Sequence, residues 1–209
     1  MFPAEVRKLL EDASRPAFRA RTASVRQFTS HVFEPGEPWN GFIELWAPRI
    51  YEFLGFALGP FGREPLPDIY AMPDGAHSSG ATASFSPDSG QILLCQSVKD
   101  KPGQTLEKLC HEMTHGSLND FPEGDAFYEE AQVDYSVWVM AHAPVWEPYR
   151  NSMIEAAAFN IKVRRERALK LHTDYDCKRW AGGIFASLAY GPFIIARLRA
   201  KKMAGDLNW

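Results

Sequence analysis

The stretch LEKLCHEMTHG at residues 106–116 decides how the rest of the chain is read. Leu106, Leu109, Cys110 and Met113 recur at i, i+3, i+4 and i+7, the repeat of one apolar helix face. Gly116 follows directly and suits a helix end. On such a helix His111 and His115 lie about one turn apart on one side, and Glu112 sits about 100° round from His111. Two imidazoles in that arrangement can hold one tetrahedral zinc, and a carboxylate at the intervening angle reaches a water beside the metal rather than the metal itself. The bare pattern His-Glu-x-x-His is short, and two surface or capping histidines on a core helix give the same letters. A third ligand separates the two readings.

Downstream runs YEEAQVDY at residues 128–135. The segment 116–125, with Pro122 and Gly124, lets the chain reverse, and Asp125 is a natural N-cap for a returning helix. Phe127, Ala131, Val133, Val137, Trp138 and Met140 give that helix an apolar body. Glu130 and Asp134 are four apart and share a face. One can ligate a metal while the other accepts a hydrogen bond from a ligating histidine, fixing its ring. Glu129 competes with Glu130 for the ligand role, and Glu130 is favoured because it alone has the aspartate four residues on.

Upstream, residues 68–72, 81–85 and 91–96 read as strands, with the turn Ser86-Pro87-Asp88-Ser89-Gly90 joining the last two into a hairpin. Gly80, Ala81, Thr82 and Ala83 are small. As an edge strand they would offer backbone N–H and C=O groups to an extended peptide, although an ordinary hairpin looks the same. His77 reads as a loop residue. Helices are expected over 3–13, 16–33, 42–58, 104–116, 126–142, 148–172 and 178–200. The fold class is therefore α+β, a small antiparallel or mixed sheet packed on helices. One domain over 1–209 accommodates it, with a helical N-terminal part (1–67), a central metal-site core (68–147) and a helical C-terminal part (148–209).

HEMTHGSLND at residues 111–120 resembles the active-site helix of the thermolysin-like gluzincins, and EAQVD at 130–134 is similar to their third-ligand helix. The hairpin just before the helix and EEAQVDYSVWVM after it resemble the compact ImmA/IrrE-type metallopeptidases. The resemblance implies a zincin-like fold and a zinc metallopeptidase, with His111, His115 and Glu130 as ligands, Glu112 as general base and Asp134 orienting a histidine. A second electrophile for the transition state could come from His172, Tyr175 or Tyr128. Tyr135, His142 and Tyr149 are further candidates. Cys95 beside such a motif is similar to the ligand set of peptide deformylases, but a core position is the simpler reading, as it is for Cys110. The alternative function is a zinc-binding regulatory or interaction protein with little intrinsic protease activity.

Composition bounds the remaining classes. A net charge of −3 over 209 residues declares no nucleic-acid or membrane preference. Residues 100–149 are rich in Asp and Glu, whereas 150–202 are rich in Lys and Arg. Two faces that attract each other explain this, as does a basic patch for an acidic partner. Three cysteines do not make a disulfide framework. The first 22 residues lack a signal-peptide core. Residues 181–196 are apolar but short of the ~20 needed to span a bilayer, and Gly182, Gly183, Gly191 and Pro192 interrupt them. The expectation is a cytoplasmic protein acting on a peptide or protein substrate, with no nucleic acid and no stable membrane insertion.

Overall fold

A computed structural model describes residues 2, 4–19, 38–58, 67–75, 81–86, 89–117 and 126–171. The elements run α1 (Ala4–Arg19), α2 (Pro38–Leu58), β1 (Ile69–Met72), β2 (Ala83–Ser86), β3 (Gln91–Cys95), α3 (Pro102–Ser117), α4 (Ala126–Met140) and α5 (Arg150–Leu171), with short 3-10 turns at Gln96–Val98 and Pro144–Trp146. The class is α+β, mostly helical, with one small mixed sheet among the described residues. No helix among them is long and apolar enough to cross a membrane, and residues 181–196 lie outside them.

The N-terminal region differs from the sequence expectation. Separate helices over 3–13 and 16–33 are expected, yet α1 continues through Pro16 to Arg19. Proline removes one backbone donor, a local cost. Packing outweighs it, because Val6, Leu9, Leu10 and Ala13 are all buried and α1 lies against α2. Ser14 Oγ donates to the Leu10 carbonyl and accepts from the Val145 amide, fastening α1 to the segment before α5. The expected helix over 16–33 lies outside the described residues beyond Arg19, and so does the one over 178–200.

The sheet order is β1-β3-β2. β1 pairs parallel with β3 (Ile69↔Ile92), and β2 pairs antiparallel with it (Ala83↔Leu94). Gly90 closes the hairpin at φ 67°, a left-handed conformation that glycine adopts without a Cβ clash. β2 starts at Ala83, two residues later than expected, and Gly80 lies outside the described residues. Small residues give strand pairing little side-chain support. Thr82 nonetheless accepts a hydrogen bond from the Cys95 amide. With Thr82 turned toward β3, alternation turns the backbone groups of Ala83 and Phe85 to the opposite side. β2 is thus an edge strand with respect to the described residues, and it lies beside α3.

The inner sheet face and α3 share one core. Ile69, Ile92 and Leu94 are fully buried, as are Leu106 and Leu109 from the stripe that marked α3 in the sequence. Trp146 fills the space behind, its Nε1 donating to the Met140 carbonyl at 2.6 Å and its ring 4.9 Å from that of Phe53. The start of α3 is tied to α2 through Trp39 Nε1, which donates to Thr105 Oγ1. Gly103 sets how closely α5 can approach α3, since a Cβ there would lie 2.6 Å from Ser152 Cβ and 2.7 Å from the Ser152 backbone carbon. α5 packs against both α3 and α4, and its Arg164 reaches Glu130 and Asp134 on α4.

Candidate metal centre

Helix α3 supplies His111 and His115 one turn apart, and their Nε2 atoms are 3.2 Å from each other. Helix α4 supplies Glu130, whose Oε2 is 3.4 Å from His111 Nε2 and whose Oε1 is 3.5 Å from His115 Nε2. These three residues form the one group among the described residues whose donor atoms could hold a metal ion. The spacing itself is informative. Ligands about 2.0–2.1 Å from a tetrahedral zinc stand about 3.3–3.4 Å apart. The three separations fall around that value, and the donor set of two imidazoles and a carboxylate suits zinc chemically.

Asp134, one turn after Glu130, lies beneath His111. Its Oδ1 is 3.2 Å from His111 Nδ1, and neither atom has another hydrogen-bond partner. This contact turns Nε2 of His111 toward Glu130. Arg164, from α5, reaches both carboxylates. Its Nη2 is 2.6 Å from Glu130 Oε2 and its Nε donates to Asp134 Oδ2. Sequence reading did not single out Arg164. The signal was its place in the basic stretch after residue 150, facing an acidic one.

The electrostatics favour positive charge at the centre. Burial works against a charged His111 ring, but the hydrogen bonds to Asp134 and Glu130 and the charge of Glu112 outweigh it and push the ring up to about 10. His115 is shifted upward for the same reason, with Glu130 as its main support. Burial would raise Glu130 and Asp134, yet both are held below the usual carboxylate range by the histidines and Arg164. Glu112 goes the other way. It is buried, and burial pushes its carboxyl up against the opposing pull of His111, His115 and Lys108. It is the carboxylate of the centre most ready to take a proton.

Below about pH 10 the His111 ring of the metal-free protein carries a proton that a metal must displace. Zinc binding at pH 7.5 should release at least about one proton, and apparent affinity should keep rising, roughly tenfold per pH unit, between pH 7 and 8.5. A histidine at its ordinary value near 6.5 would give a plateau there. Titration calorimetry in buffers of different ionisation heat reads the proton count, and a flat affinity above pH 7 would contradict the shift.

The other sequence candidates fall elsewhere. His172, Tyr175 and His77 lie outside the described residues. Tyr128 and Glu129 sit in the first turn of α4, with their side chains outside the description. His142 lies in the turn two residues beyond α4, its Nδ1 2.8 Å from the Trp138 carbonyl oxygen and its ring against Phe2 and Trp138. Tyr149 packs on Phe42 and Trp46. Cys95 is buried with Sγ donating to the Ala81 carbonyl, and burial raises its thiol. Cys110 is buried in the α3 stripe.

The chain matches no protein-family model, and no curated protein or solved structure is significantly similar to it.

Proposed function

We propose that the chain is a zinc-dependent metallopeptidase of the gluzincin type, built on a zincin-like fold. The observation that carries this reading is the convergence of His111, His115 and Glu130 at ligand spacing, with Glu112 buried beside them. A metal ion at those atoms would supply Lewis-acid activation of a water and of a substrate carbonyl.

The protein's own groups account for the remainder. Glu112 takes a proton from the attacking water on its carboxylate and returns it to the leaving amine, and its raised pKa suits both roles. Asp134 holds His111 in the ring orientation that presents Nε2. The edge that Ala83 and Phe85 present among the described residues can pair with an extended peptide and align it beside α3. The free thiols of Cys95 and Cys110 accord with a reducing, cytoplasmic compartment.

A second reading, a zinc-binding regulatory protein with little intrinsic protease activity, draws on the burial of Glu112, which leaves little of its carboxylate open to a substrate. A chelation assay on unstructured protein and mixed quenched-fluorescent peptides tests the enzymatic reading. Cleavage should stop on metal removal and return with zinc. Cleavage indifferent to chelation, or absent from zinc-loaded protein, contradicts it.

A further inference from the structure

Arg164 does more at this centre than neutralise charge. A guanidinium that meets two carboxylates through two different N–H groups is fixed in orientation, and Arg164 does this with Nη2 on Glu130 and Nε on Asp134. It is 26% exposed, so the fork is largely shielded from water. Of the two oxygens of Glu130, only Oε2 carries the short bond to the arginine, at 2.6 Å, while also lying 3.4 Å from His111 Nε2. Oε1 turns to His115 Nε2 at 3.5 Å.

The two oxygens are therefore unequal donors. Oε2 has one of its lone-pair sites committed to a charge-assisted hydrogen bond, while Arg164 leaves those of Oε1 to the centre. The charges point the same way. Arg164 brings one positive charge against the carboxylates of Glu130 and Asp134. Glu107, also buried in α3, is offset by Lys108 at 3.3 Å. Without Arg164 both oxygens of Glu130 would be equally available to a metal.

We propose that Arg164 is a positioning residue that makes Glu130 a one-oxygen ligand through Oε1, holding open a coordination position that the second oxygen would otherwise take. The proposal rests on the reading of His111, His115 and Glu130 as a metal site. It links α5 to function, because an open position distinguishes a catalytic site from a closed structural one. It also gives Gly103 an indirect role, since the close α3–α5 approach there is what lets Arg164 reach α4.

Cobalt(II) is the probe, because four-coordinate cobalt absorbs visible light much more strongly than five- or six-coordinate cobalt. The metal-free wild type is titrated with cobalt, and so are Arg164→Met, Asp134→Asn and the double variant D134N/R164M. The double variant leaves no buried carboxylate stranded at position 134, so it serves if Arg164→Met does not fold. We expect an intense four-coordinate spectrum from the wild type and from Asp134→Asn. Both variants lacking the arginine should show a weaker, higher-coordinate spectrum. Cobalt affinity should fall roughly 10- to 100-fold in Arg164→Met relative to wild type, and similarly in the double variant relative to Asp134→Asn. Loss of the arginine with no change in band intensity would overturn the proposal and leave the metal site standing. A folded wild type that takes up no cobalt would overturn the metal site, and the proposal with it.

Discussion

Replacing Glu112 with glutamine is expected to lower peptide hydrolysis by roughly 100- to 10,000-fold while the protein keeps its metal. The two halves of this result have separate causes. Glutamine matches the shape of glutamate and keeps its hydrogen-bonding reach, so α3 and the ligands on either side of position 112 should stay in place. What disappears is a carboxylate able to accept a proton. Burial has raised the affinity of Glu112 for that proton, against the pull of two histidines and Lys108. The ligand atoms of His111, His115 and Glu130 do not include the Glu112 side chain. Elemental analysis alongside a cleavage assay reads both halves. Undiminished cleavage would remove Glu112 from the mechanism. Metal lost together with activity would mean that Glu112 supports the ligands rather than the water.

The largest stability effect is expected at Trp146, far from the chemistry. Trp146→Ala should cost about 3–5 kcal/mol. The side chain is fully buried, packs on Phe53 and Trp46, and donates to the Met140 carbonyl. Truncation leaves a cavity beneath the turn between α4 and α5 and takes a partner from a backbone oxygen. For a chain of this length each kcal/mol shifts the melting temperature by about 2–4 °C, so a fall of roughly 6–20 °C is expected. Urea melting at constant pH checks it. A loss below about 1 kcal/mol would mean that the core around Trp146 collapses to fill the gap, against the close packing of Phe53 and Trp46.

What could be read in the sequence was local. The stripe Leu106, Leu109, Cys110, Met113 and the histidine pair lie within three turns of one helix, so periodicity alone placed α3 and its faces. Glu130 and Asp134 were legible for the same reason, being one turn apart on one face. The hairpin was legible from its turn, though the strand began two residues late because Ala81 and Thr82 lend it little. Arg164 was not legible as an individual. Its role depends on where α5 crosses α3 and α4, which the contact of Gly103 with Ser152 helps determine, and no local pattern encodes that crossing. Charge segregation hinted at the partnership between acidic and basic stretches without naming its members. The expected division between helices over 3–13 and 16–33 did not appear, because burial of Leu9, Leu10 and Ala13 carries α1 through Pro16. The parallel pairing of β1 with β3 likewise came from tertiary structure, since strand signals carry no direction.

The central claim is that His111, His115 and Glu130 hold a metal. Elemental analysis of purified, folded wild type and of Glu130→Ala, both supplied with zinc and freed of excess, tests it most directly. The account predicts about one zinc per wild-type chain and little or none retained by the variant. A folded wild type that retains no zinc would contradict it.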